Sequence, residues 1–191
     1  MHLDVPESEI WRYLGYRGAV PDDAVRGLIA SCLKQLEEET APKRIYRVYP
    51  LSKEENAVTV GDLRLESRHL RRHLEKSTRA ALFAATLGSG ADRLLRYWER
   101  VDMSRAAVLQ AAAAAMTEAW CDLCQAELAA SLAGEGARLT FRFSPGYGDL
   151  SLACQPMLLA RLDAARRIGL TVTESMMLTP TKSVTAVIGI Y

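Results

Sequence analysis

The run Leu170-Thr171-Val172-Thr173-Glu174-Ser175-Met176-Met177-Leu178, the link Thr179-Pro180-Thr181-Lys182 and the run Ser183-Val184-Thr185-Ala186-Val187-Ile188-Gly189-Ile190 decide the fold class. Both runs read as strands, and the short Pro-containing link predicts a hairpin-like ending. Working outward, residues 138–143 read as a strand and 152–168 as a helix. Residues 44–51 alternate as a strand, and 57–60 and 63–65 add shorter strand-like pieces. The unbroken apolar run 80–86 reads as a buried strand that ends at Gly88-Ser89-Gly90. Strands that cluster in this way, closing on a hairpin, predict an α+β fold rather than regular βαβ winding.

Helices fill the remainder. A short one is expected over 7–15. Pro21-Asp22-Asp23 opens an amphipathic helix to about Glu39, with Val25, Leu28, Ile29, Cys32, Leu33 and Leu36 on one stripe. A basic helix is expected over 67–76, another over 91–100, and a long Ala-rich helix from Ser104 to about Leu132. The domain reading is a segment 1–76 packed on a core 77–191, together one compact domain.

Composition narrows the function classes. Of 191 residues 49% are apolar, enough for a true core, and the net charge of +1 favours neither nucleic acid nor an acidic membrane surface. The start Met1-His2-Leu3-Asp4 has no leader-like character, and the Ala-rich run carries Glu118, Asp122 and Glu127, which argues against a membrane span. A cytoplasmic, soluble protein is expected. Cys32, Cys121, Cys124 and Cys154 make no disulfide framework. Cys121 and Cys124 lie inside a helical pattern, where buried thiols are the expectation. His69 and His73 share a helix face, but Leu70 stands where a metalloprotease helix has its Glu, and Arg68, Arg71 and Arg72 repel a cation. A solvated basic face is expected and no metal. Gly88-Ser89-Gly90 matches no phosphate-loop spacing and reads as a strand-to-helix turn. Nothing in the sequence supports hydrolase chemistry or an assigned catalytic residue.

Two features point to a ligand. In Arg142-Phe143-Ser144-Pro145-Gly146-Tyr147-Gly148-Asp149, Pro145 and Gly146 suit the two corners of a type II turn. Such a turn is expected to fold Tyr147 back towards Arg142, as an anion clamp or as a plain connection. Glu118 follows an all-alanine stretch, with Asp122 and Gln125 after it. Either it is buried and takes a cation, Arg142 or a ligand ammonium, or it faces solvent. Glu174, in register with Leu170 and Val172, is expected on the buried face of its strand and is a third candidate.

In this order, Thr117-Glu118-Ala119-Trp120, Arg142-Phe143-Ser144-Pro145-Gly146-Tyr147, Arg167-Ile168-Gly169-Leu170, Thr173-Glu174-Ser175 and Pro180…Ser183-Val184 resemble the activation domain of cobalamin-dependent methionine synthase. The resemblance covers roughly residues 78–191. It implies an α+β unit with a twisted antiparallel sheet that binds S-adenosylmethionine and meets a cobalamin-binding module whose cofactor has become oxidised. A reduced flavodoxin-like donor supplies one electron, and S-adenosylmethionine supplies the methyl group. Carried over, Arg142 holds the ligand carboxylate, the backbone of Ser144 meets the adenosyl part, Tyr147 closes the pocket, and Glu118 sits across the site near the ligand ammonium or the donors that shape it. Gly146 and Glu174 complete the expected ligand-binding set. The segment 177–181 approaches the corrin face. The implied partner is a separately encoded methionine synthase or another corrinoid protein, with the cobalamin on that partner. A docking module without methyl-donor binding, or an activator in another corrinoid pathway, is the alternative. The chain departs from the family in three places. The aspartate near the family's start has no clear counterpart, Gly148 replaces a proline, and the chain ends at Tyr191 before a tyrosine-bearing segment.

Overall fold

The computed structural model describes residues 3–16 and 18–191; Met1 and His2, which open the stretch expected to lack leader character, lie outside them. In chain order the elements are α1 (Glu7–Tyr13), α2 (Asp23–Glu39), β1 (Lys43–Lys53), β2 (Ala57–Val60), β3 (Leu63–Glu66), α3 (Arg68–His73), β4 (Arg79–Thr86), α4 (Ser89–Val101), α5 (Met103–Ser131), α6 (Gln155–Leu162), α7 (Ala164–Ile168), β5 (Thr171–Val172), β6 (Leu178–Thr179) and β7 (Ser183–Ile190). Side-chain caps open two of the helices. At the expected start of α2, Asp22 Oδ1 accepts from Val25 N at 2.8 Å, and before α5 Asp102 Oδ1 accepts from Arg105 N at 3.1 Å.

Five strands form an antiparallel sheet in the order β3-β2-β1-β4-β7. β1 pairs with β4 from Lys43↔Thr86 to Pro50↔Arg79, so strands from both segments of the sequence reading share one sheet. Helices cover both faces. Ala81, Phe83 and Ala85 of β4 join Ala186 and Ile188 of β7 in a core with α1, α2, α4 and α5. Ala80, Leu82 and Ala84 face the other way, into a core with α3, α6 and α7. A strand covered on both faces has no solvent side to mark with polar residues, which is why 80–86 reads as one apolar run. α5 runs through the first layer and touches α1, α2, α4, β4 and β7, and its buried alanines let these elements approach. Gly90 serves the same purpose at the start of α4, which presses on the C-terminal end of α2; a Cβ there would lie 1.7 Å from Glu39 O. Among the described residues no helix is long and apolar enough to cross a membrane.

The structure corrects the ending. β7 pairs with β4, not with the run before it, and the hairpin is a two-stranded piece, β5 with β6, inside that first run. The expected strand 170–178 breaks because Thr173 satisfies its own neighbourhood. Its Oγ1 accepts from Met177 N at 3.1 Å and bonds Ser175 Oγ at 2.9 Å, local partners that compete with a ladder. The expected helix 152–168 is divided at Asp163, which adopts a left-handed conformation (φ 55°) and accepts from Arg166 Nε at 2.7 Å. Residues 138–143 do run beside β7, but through two isolated bridges, Leu139↔Ile190 and Phe143↔Val187. Three residues separate these bridges on one side and two on the other, which is a bulge.

Candidate functional site

α5 presents Glu118, Asp122 and Gln125 at i, i+4 and i+7, along one face. Opposite runs the bulged segment, fixed to β7 by Arg138 N to Tyr191 O at 2.7 Å, Thr140 N to Gly189 O at 2.9 Å and Phe143 N to Val187 O at 3.0 Å. Between the two walls lies a groove of about 790 Å³, lined also by Ala126, Ala129, Arg138, Phe141, Ser144 and Val184. That volume falls within the range of about 300–1,000 Å³ common for small-molecule sites.

Extended backbone sends alternate side chains to opposite faces. Arg142 and Ser144 accordingly line the groove, while Phe143 turns into the second core. The Arg142 side chain is only 17% exposed, and α5 grips it at three points. Its Nη2 donates to Glu118 Oε2 at 2.9 Å, and its Nη1 to Asp122 Oδ1 at 2.8 Å and Gln125 Oε1 at 3.2 Å. Burial opposes the charge of Arg142, but its hydrogen bond to Asp122 and the negative charges nearby outweigh it, and its pKa is raised. Glu118 therefore takes the cation that the sequence offers it, yet it reaches solvent rather than being buried, so each of the two readings holds in part. Nη1 and Nη2 make these contacts, and Nε lies outside them.

The turn forms as read. Tyr147 N donates to Ser144 O at 3.1 Å, and Gly146 at the second corner has φ 88°. The convergence of Tyr147 on Arg142 does not form. Tyr147 lies on the Phe143 side, with ring centroids 5.2 Å apart, and is 69% exposed. The turn carries the chain across to that face, where an aromatic edge contact holds the phenol. Glu174 is exposed in the turn between β5 and β6 and lines neither this groove nor the smaller one beside it, because the strand that would have buried it does not extend past Val172. Glu118, Arg142 and Ser144 are thus brought together, and Gly146 shapes the turn beside them. The smaller groove, of about 290 Å³, is lined by Pro145, Leu152, Met176, Met177 and Thr181 and meets the first at Ser144 and Val184. Its Thr181 is fixed by Asp92 of α4, whose Oδ2 accepts from Thr181 N at 3.0 Å. Lys182 beside it donates to Gln110 O at 3.4 Å, and burial lowers its pKa.

Asp149 closes the motif, a role that the sequence alone does not reveal. Its carboxylate accepts from Ser67 Oγ, from Arg68 N at 2.9 Å and from His69 N at 3.2 Å, so it pins the turn to the start of α3. His73 ties down the same wall, with Nε2 2.8 Å from Phe141 O and its ring on Phe143. The face of α3 expected to be solvated is therefore partly a docking face, although Arg68, His69 and Arg72 are exposed. The signal available for Asp149 was the Gly-Asp ending of the turn, but its partner lies some eighty residues away. The Ser67 hydrogen bond, aided by the backbone of Arg68 and His69, holds the Asp149 pKa down to about 2. A depressed carboxylate stabilises the fold fully above its unfolded pKa of about 3.9 and loses that contribution as pH falls through about 2. Asp149→Asn is expected to flatten the loss of stability between about pH 4 and 2, measured by urea midpoints across that window. An unchanged acid limb would contradict the assignment.

All four cysteines are free and buried. Burial pushes Cys121 and Cys124 up to about 12, so the pair beneath the helix wall stays protonated and inert. Among the described residues no group of three or more His, Cys, Asp or Glu is placed to hold a metal.

These elements define an α+β protein with a charged groove where its long helix faces the edge of its last strand. A solved structure similar to it is the crystal structure of the MetH reactivation domain bound to AdoHcy, with a TM-score of 0.71 and 15% sequence identity over 94% of this chain and 71% of that one. The chain has the fold of that reactivation domain, the α+β sheet-and-helix fold that the motifs implied. No family model matches the sequence, and no curated protein matches it either.

Proposed function

We propose that the chain binds S-adenosylmethionine in the groove between α5 and the segment 138–144, and serves cobalamin-dependent methionine synthase, in trans, as a reactivation subunit. The observation that carries this reading is the grip on Arg142 by Glu118 and Asp122, at 2.9 and 2.8 Å, in a groove of a fold shared with a domain bound to AdoHcy. The ligand is a zwitterion that also carries a sulfonium. It asks for a guanidinium at its carboxylate and for carboxylates near its cationic groups. Arg142 has N–H groups beyond those that α5 engages, and Glu118 and Asp122 supply the negative charge.

The role of the chain's own residues is placement. Arg142, Glu118 and the Ser144 turn hold and orient the methyl donor, and alignment of the methyl group with its acceptor lowers the barrier. The acceptor is the reduced cobalamin of a separately encoded methionine synthase or other corrinoid protein, and a flavodoxin-like donor delivers the electron. The smaller groove, with Met176, Met177 and Thr181 at its rim, is the surface offered to the corrin. Adding the chain to a methionine synthase module that carries oxidised cobalamin, with S-adenosylmethionine and a one-electron reductant, is expected to produce the methylcobalamin spectrum. A spectrum unchanged relative to a chain-free control would contradict the trans role.

A second reading, a docking module that covers cobalamin without taking the methyl donor, draws on one observation. Tyr147 stands on Phe143, away from the groove it was expected to close. Formation of a complex with the corrinoid module while S-adenosylmethionine fails to bind either protein would select it.

A further inference from the structure

Gln125 is the neutral member of the group that grips Arg142, and it is engaged at both ends of its amide. Its Oε1 accepts from Arg142 Nη1 at 3.2 Å, and its Nε2 donates to Thr140 O at 3.1 Å. The two partners fix the orientation of the amide, since a guanidinium offers only donors and a carbonyl only accepts. One side chain of α5 thus holds both the backbone and the functional side chain of the opposite wall.

That wall needs holding. It meets β7 at two isolated bridges with a bulge between them, and although Thr140 N bonds Gly189 O and His73 holds Phe141 O, no regular ladder runs through Arg142. Glu118 and Asp122 do not supply this restraint. Ionised carboxylates only accept hydrogen bonds, so neither has a donor for the wall carbonyl. Their side chains are 49% and 71% exposed, whereas Gln125 is half-buried. We infer that Gln125 is a positioning residue: through the Thr140 and Arg142 bonds it sets the reach and plane of the Arg142 guanidinium, and so makes the groove discriminate for the amino-acid carboxylate of its ligand. The inference rests on the S-adenosylmethionine reading above.

The test compares S-adenosylhomocysteine with 5′-methylthioadenosine, an adenosyl thioether that lacks the amino-acid part, by calorimetric titration. The wild-type chain is expected to favour S-adenosylhomocysteine. In Gln125→Leu, which keeps the apolar bulk of the side chain, that preference is expected to shrink about tenfold, in line with loss of a hydrogen bond to a charged group. Affinity for 5′-methylthioadenosine is expected to stay within about twofold. Parallel weakening of both ligands would mean a merely structural role and overturn the inference, as would an unchanged preference. Failure of the wild-type chain to bind either ligand would overturn the S-adenosylmethionine reading and this inference with it.

Discussion

Arg142→Ala is expected to abolish saturable binding of S-adenosylmethionine, weakening it by at least about a hundredfold, while the chain still folds. Two charge-assisted hydrogen bonds to a ligand carboxylate account for roughly 3 kcal/mol or more, and each 1.4 kcal/mol is tenfold in affinity. The same change leaves Glu118 and Asp122 on one helix face without the cation they share. For a fully buried pair that loss costs about 3–5 kcal/mol, but both carboxylates reach solvent, so a cost of about 1–2 kcal/mol is expected. Binding is therefore the large effect and stability the small one. Titration calorimetry and thermal unfolding on the same samples separate the two, and a variant that binds like wild type would remove Arg142 from the site.

Gly90→Ala is expected to destabilise the fold severely, although it adds a single methyl group. Helix propensity alone favours alanine over glycine by about 1 kcal/mol. At Gly90 the new Cβ would sit 1.7 Å from Glu39 O and 2.7 Å from Glu39 C, and these are backbone atoms at the end of α2 that no rotamer change can move. Overpacking typically costs about 1–3 kcal/mol where side chains can yield, so a backbone clash is expected to exceed about 3 kcal/mol and to reverse the propensity gain. Gly27 provides the contrast. It is exposed in the middle of α2, and nothing lies within 4 Å of a Cβ built on it, so Gly27→Ala is expected to stabilise by up to about 1 kcal/mol. Urea unfolding of the two variants should move the midpoint in opposite directions. Equal shifts would contradict the close approach of α4 to α2.

The residues that spoke clearly in the sequence are those whose partners are local. Asp22 caps its helix three residues ahead of itself, and the stripe Ile29, Cys32, Leu36 repeats with the helix period. Pro145 and Gly146 fix their turn through their own dihedral preferences, so the type II turn was legible to the residue. The pairing of Glu118 with Arg142 was legible only as one of several alternatives. A carboxylate in an alanine-rich helix face raises the question of its partner, and Arg142, a ligand ammonium or solvent could each answer it; in the structure both Arg142 and solvent do.

What stayed hidden depends on distant pairing. The run 183–190 is plainly a strand, yet nothing in it states that its neighbour is β4 rather than the run just before it. The strand expected over 170–178 failed because Thr173 and Ser175 bond locally, and Glu174 lost its expected burial with it. Tyr147 could be placed after the turn but not on a face, because the alternation that sorts Arg142 from Phe143 stops at Pro145. Asp149 holds the turn to α3 across some eighty residues, a contact that no local pattern encodes. The resemblance supplied what periodicity did not, since it fixed the order of the pieces as one fold, and the structural similarity supports that fold.

The central claim is that the groove between α5 and the segment 138–144 holds S-adenosylmethionine. Its most direct test is a titration of S-adenosylmethionine into the wild-type chain, alone and with a corrinoid module present. Saturable binding of one ligand per chain, lost in Arg142→Ala, is the result the account predicts. Absence of binding under both conditions, or binding that Arg142→Ala leaves intact, would contradict it.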